Sequence, residues 1–176
     1  MITLKMLAAA SAVALIAMVP ASAQQPAPPA PAAAPAPAAP PMQYGPPITF
    51  EKAKKAMAAA EAEAQKGNWP VAISIVDSGG HTVMFSRLDN TQYGSIRIAE
   101  GKARTAVELR RPTKALQDAI SANSAGARFL SVQGVSLLEG GVLIVADGKI
   151  IGGIGVSGVA SSDDAKVAQA GADAAK

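Results

Sequence analysis

The chain has 176 residues, 49% hydrophobic and 16% charged, with a formal net charge of +3 and no cysteine. Without cysteine there is no disulfide framework, no Cys-based zinc site, no thiolate metal ligand and no lipidated cysteine anchor. The charge, which falls to +2 once Lys5 leaves with the leader, is too small to provide a nucleic-acid surface, and no run of interleaved aromatic and basic residues accompanies it.

Lys5, the apolar stretch Met6 to Val19 and the A-x-A site Ala21-Ser22-Ala23 read as a secretory signal peptide over residues 1–23. The apolar stretch is too short for a membrane span, so no span is expected after cleavage and the mature protein is expected to be periplasmic or secreted. Residues 24–47 are almost entirely Ala and Pro. That composition buries no core and predicts a disordered, extended spacer. One domain, residues 48–176, remains.

Within it, Thr49 is expected to cap a helix with the apolar stripe Phe50, Ala53, Met57, Ala60 and Ala64, stopped by Gly67 at C′. Two strands follow, Val71 to Asp77 and Thr82 to Leu88, joined through Ser78-Gly79-Gly80-His81. If Gly79-Gly80 is the loop, Val76 faces Val83, Ser74 faces Phe85, and His81 shares that side, with Ile73, Ile75 and Met84 on the other. Ile96, Ala99, Ala103 and Ala106 mark a second helix, with Glu100–Arg104 and Arg104–Glu108 as ion pairs on its exposed face. Pro112 ends it, and Thr113 caps a short helix from Lys114 to about Ala122.

Val135 to Leu138 is a candidate short strand. Gly141 to Ala146 and Lys149 to Val156 form a hairpin about Asp147-Gly148, a type I′ turn, pairing Ala146 with Lys149, Val145 with Ile150 and Ile144 with Ile151. Both strands are apolar on both faces, as central strands are. Ser161 and Asp164 read as a capping box for a last helix running to the C-terminus. Gly153, Gly155 and Gly158 match G-x-G-x-x-G, but they lie mostly within a strand rather than in the turn a dinucleotide site requires. They are read instead as room for a close-packed neighbour. Hairpins separated by helices indicate an α+β fold.

Val71 to Leu88 with its DSGGH turn, the block AEGKARTAVELRRPTKAL from Ala99 to Leu116, and LEGG followed by DGKIIGGIGVSG resemble, in that order, the GlcG/HbpS family of haem-degrading or PduO C-terminal-like domains. The resemblance spans essentially all of residues 48–176. It implies a profilin-like (GlcG-like) α+β fold with a five-stranded antiparallel sheet packed with helices, and a homo-oligomer, dimer or octamer. It also implies haem as cofactor. Members with a signal peptide resemble the secreted haem-binding type, which works beside a sensor or cell-envelope partner.

Haem iron takes His, Met, Tyr or Cys as axial ligand. His81, the one histidine, is read either as the metal ligand at the mouth of a pocket on the Val83 and Phe85 face or as a solvated turn residue. Tyr93 and the methionines are the other donors, with Met57 and Met84 expected in the core. Arg110 and Arg111 form either a clamp for haem propionates or a substrate carboxylate, or two cations completing a helix C-terminus. Lys102, Arg104 and Thr113, in the same family-like block, are assigned to an inter-subunit groove. Ser157, Ser161 and Ser162 at the last helix start are candidates for holding an anion.

Neither a Ser-His-Asp pattern nor metal-ligand spacing is visible, so no catalytic residue is assigned. The readings are an exported haem-binding protein serving haem sensing, storage or degradation, an enzyme or accessory protein for a small carboxylate metabolite, or an oligomeric scaffold without a specific ligand.

Overall fold

Thr49 opens the first helix as expected, its hydroxyl accepting from the Lys52 N–H at 3.3 Å, and α1 runs Phe50–Lys66. A computed structural model describes residues 40–122 and 124–176, so the signal peptide and residues 24–39 of the Ala/Pro spacer lie outside the described residues. Ala53, Met57, Ala60 and Ala64 are buried, joined by Ala56. Phe50 is not: it is exposed, with the Lys54 ammonium 5.3 Å from its ring. Gly67 is the C-cap with φ −85°, and Asn68 takes the left-handed position at φ 50°. Glycine is needed at 67 for space, because a Cβ there would come within 2.2 Å of the Trp69 indole.

The strands β1 (Ala72–Asp77), β2 (Thr82–Arg87), β3 (Gly141–Ala146) and β4 (Lys149–Ser157) form one antiparallel sheet in the order β2-β1-β4-β3. The expected type I′ turn forms, with φ 50° at Asp147 and 71° at Gly148. Ala146 pairs with Lys149 and Val145 with Ile150, but a bulge then sets Ile144 opposite Gly152 rather than Ile151.

The first hairpin also differs from expectation. The Gly80 N–H donates to Asp77 O at 3.0 Å, the Asp77 N–H to His81 O at 2.9 Å, and Gly80 has φ 84°. This is a three-residue loop ending in a left-handed glycine. A bulge then places Thr82 opposite Val76, while Ser74 still faces Phe85. The bulge turns Val83 to the side of Ile75 and Met84, away from Phe85.

The helices α2 (Gly94–Glu108), α3 (Thr113–Ala122) and α4 (Ser161–Ala174) complete the fold with a 3₁₀ segment, Ser124–Ser131. The helices α1 and α4 cover the sheet face of Ile73, Ile75, Ile154 and Val156, while α2 covers that of Val76 and Ile150 through Ala103 and Val107. Burial of these apolar faces holds the three layers together. The strand glycines let α2 approach closely: a Cβ on Gly155 would lie 2.2 Å from Ala99 O, and one on Gly153 2.9 Å from Ala103 O. This is the close-packing role, not a dinucleotide loop.

The sheet has four strands among the described residues, not five. Residues 135–138 form no strand. The backbone N–H groups around them are taken by side chains, Ser136 N donating to Thr105 Oγ1 at 2.8 Å and Glu139 N to Gln117 Oε1 at 2.9 Å. Residues 43–45 instead reach β4 beyond the end of β1, with Ile150 N donating to Gln43 O at 2.9 Å and Gly45 N to Ile150 O at 2.8 Å. The last part of the Ala/Pro segment is therefore tied to the sheet.

Candidate functional site

His81 stands on the β1–β2 turn with its side chain 84% exposed, its Nδ1 3.4 Å from Asp77 Oδ1. The same carboxylate oxygen accepts from the N–H groups of Gly79 at 2.8 Å and His81 at 3.0 Å. Partial burial raises the Asp77 carboxyl, but the His81 and Gly79 N–H bonds and the imidazole outweigh it and hold the group below its ordinary range. An imidazole whose Nδ1 faces a carboxylate presents Nε2 outward, the arrangement that suits a metal ligand. Phe85 lies on the α2 face of edge strand β2, whereas Val83 faces α1, so the pocket expected between them does not form on one copy.

The turn adjoins the C-terminal end of α2, since a Cβ on Gly80 would meet Arg104 Cγ at 3.3 Å and Glu108 Oε1 at 3.9 Å. The helix closes with Arg110 N donating to Val107 O and Arg111 N to Ala106 O, both at 3.1 Å, and Arg110 in the left-handed region at φ 51°. These bonds form a Schellman motif whose usual glycine is replaced by arginine. The Arg110 guanidinium lies 4.5 Å from the Tyr44 ring centroid, and Tyr44 OH donates to Val107 O at 2.9 Å. Arg111 Nε donates to Leu109 O at 3.0 Å, completing the helix end. An open depression of about 500 Å³ is lined by Pro41, Glu108, Leu109, Arg110, Arg111 and Ala115. Its lining thus holds two arginines, whose guanidinium groups are the donors best shaped for a carboxylate, and one carboxylate, that of Glu108. The expected pairs of Arg104 with Glu100 and Glu108 are absent from the ion pairs of the described residues.

Lys102 and Thr113 do not belong to this surface. Lys102 is 1% exposed, its Nζ donating to Asp164 Oδ2 and Val156 O at 2.8 Å each. Thr113 is fully buried and its Oγ1 accepts from the Gly141 N–H at 2.8 Å, so it ties α3 to β3 instead of capping its own helix. Neither lines a groove. The last helix is capped at Ala160 without a side-chain bond, and Asp164 accepts from Val159 N at 3.2 Å, so the Ser161 capping box does not form. Ser157 is buried against Ser95. The His81 turn thus adjoins the last turn of α2, the helix that Arg110 and Arg111 close, while Phe85 lies on the sheet face and Lys102 and Thr113 are buried. Tyr44 was missed because it sits in an Ala/Pro run. An aromatic residue next to Gln43 and Gly45 was the available signal.

Among the described residues no group of three or more His, Cys, Asp or Glu side chains could hold a metal ion. Iron inside a macrocycle needs only an axial ligand, and a single histidine can supply one. The sequence profile of the family described as Haem degrading protein HbpS-like matches residues 48–173. Protein GlcG of Escherichia coli (strain K12) is 42% identical over 107 residues, 61% of this chain and 78% of that protein. The solved complex of PduOC with heme has a TM-score of 0.66 at 30% identity, covering 73% of this chain and 94% of that one. A Streptomyces reticuli HbpS double mutant has a TM-score of 0.68 at 34% identity, covering 81% and 97%. With a profile match that takes in nearly the whole folded domain, and the same fold in solved relatives, this chain belongs to the HbpS-like family.

Proposed function

We propose that this chain is an exported haem-binding protein, with His81 as the axial ligand to iron and with Arg110 and Arg111 receiving the propionates. The observation that carries the reading is the His81–Asp77 pair, which orients the one imidazole of the chain and leaves Nε2 free at the surface. Membership of the HbpS-like family and likeness to a PduOC structure containing heme support it. Haem would supply the iron chemistry, and the protein would bind and orient it.

One copy offers no enclosed apolar wall beside His81, because Val83 and Phe85 face opposite sides of β2. A second copy would provide the cover, so the proposal includes a homo-oligomer, a dimer or an octamer. Exposed Leu130, Val132 and Leu138 form apolar surface of the kind that association buries. Export rests on the signal peptide read over residues 1–23. A role in sensing, storage or degradation, beside a sensor or cell-envelope partner, belongs to the same proposal.

The test is a haemin titration of the purified protein followed by absorbance, with His81→Ala alongside. Stoichiometric Soret binding that is lost in the variant is the expected result. Absence of saturable binding in both would favour the second reading, supported by the arginine-lined depression: a small carboxylate metabolite, detected as thermal stabilisation by organic acids and not by haemin.

A further inference from the structure

The end of the β1–β2 hairpin opposite the His81 turn carries a depression of about 370 Å³, lined by Gln65, Asn68, Trp69, Leu88, Asp89 and Asn90 among others. Trp69 is the one tryptophan of the chain and is half-buried, its ring against Gly67. Gln65 and Asn68 approach from the end of α1, and Asp89 and Asn90 from the turn after β2. No side chain of these four makes a hydrogen bond or ion pair within the described residues.

Asn68 and Asn90 both hold left-handed backbone, with φ 50° and 63°, where glycine is free of strain. Neither turn uses the amide to close. Asn68 N donates to Gln65 O at 3.0 Å and Trp69 N to Ala64 O at 2.9 Å, while Thr91 N and Oγ1 reach Leu88 O at 3.3 and 2.7 Å. Three amides and a carboxylate, all on exposed residues, therefore have no protein partner around one half-buried indole.

We infer that this depression binds a neutral pyranose sugar. Each sugar hydroxyl both donates and accepts, matching amides that offer NH₂ and C=O together, while the apolar C–H face of the ring suits an indole. Asp89 is the one charged lining residue, and its carboxylate disfavours a phosphate or a carboxylate there. The Lys166 ammonium, 5.8 Å from the Trp69 ring centroid, opposes a second cation and is itself paired with the Asp163 carboxylate at 2.7 Å. The volume falls within the roughly 300–1,000 Å³ of small-molecule sites. The inference stands apart from the haem reading, since the two places lie at opposite ends of the hairpin.

Because Trp69 is the sole indole, its fluorescence reports this place directly. The full chain is titrated with cellobiose, maltotriose and chitotriose, and with choline chloride and inorganic phosphate as charged contrasts. Saturable change in emission with at least one sugar is expected, weakened about tenfold or more in the Asp89→Ala/Asn90→Gly variant. Asn90→Gly alone preserves the left-handed turn and removes only the amide, which guards against a folding artefact. Haemin absorbance of these variants should match the parent. Emission unmoved by any sugar in the folded protein, saturation by choline or phosphate instead, or a sugar response unaltered in the variants would overturn the inference.

Discussion

Lys102 on α2 and Asp164 on α4 meet at 2.8 Å, with side chains 1% and 3% exposed. The pair links the helix over one sheet face to the helix over the other, past Gly140, where a Cβ would crowd Lys102 Nζ to 2.7 Å. Burial pushes the Lys102 ammonium down and the Asp164 carboxyl up, with their mutual hydrogen bond opposing both shifts. The pair works as an internal tie between layers.

Removing one partner leaves the other charge buried and alone. Lys102→Met or Asp164→Leu is expected to lower unfolding free energy by about 3 to 5 kcal/mol, while the double variant recovers at least half of that loss. Urea denaturation followed by circular dichroism measures all three. Additive losses in the double variant would show that the two residues act separately.

Glycine to alanine should have opposite effects at two positions. At Gly155 the added Cβ would lie 2.2 Å from Ala99 O and 2.4 Å from Ala103 N, both backbone atoms of α2. Gly155→Ala is expected to cost about 1 to 3 kcal/mol. At Gly94, the first residue of α2, a Cβ meets nothing within 4 Å. Gly94→Ala should gain roughly 0.5 to 1 kcal/mol from helix propensity. Thermal melts compare the two.

Arg110 isolates the effect of left-handed backbone. Arg110→Gly and Arg110→Ala both remove the guanidinium from Tyr44, so their difference reports the residue's backbone alone. The glycine variant should be more stable than the alanine variant by about 1 kcal/mol. Both should weaken haemin binding equally if the side chain receives a propionate, a comparison made by absorbance titration.

Asp77 gives the turn an acid limit. Its carboxyl is held below the ordinary value of 3.8, so the ionised group stabilises the fold above that pH and the contribution is lost as pH falls through the lowered value. Asp77→Asn should cost about 1 kcal/mol at neutral pH through weakened N–H bonds. It should also flatten the fall in stability below about pH 4. A variant whose stability declines with acid as steeply as the parent's would contradict this role.

Much of the fold was legible locally. The Thr49 cap, the alanine stripe of α1 and the Asp147-Gly148 turn each depend on neighbours a few residues away, and the reading of Gly153 and Gly155 as contact points for a neighbour needed only their place within a strand. The fifth strand was expected by resemblance, and residues 135–138 do not form it. Their polar partners, Thr105 and Gln117, are distant in sequence and leave no local mark. Of the proposed site, His81 is marked in the sequence by being the one histidine, while the Tyr44 contact with Arg110 is masked by the composition around it.

The sequence by itself determined the α+β order, the two hairpins and the inward faces of the helices, because periodicity and turn chemistry act over short spans. Tertiary structure decided the fate of the charged and polar residues. Lys102 lies at helical spacing between Ala99 and Ala106 on the inward stripe, but its charge argued for the surface. A partner 62 residues away keeps it inside. The bulge after Ile75 likewise separates Val83 from Phe85. Such outcomes depend on which atoms meet across the fold, and a burial that is unfavourable for one residue alone becomes tolerable only when its distant partner arrives.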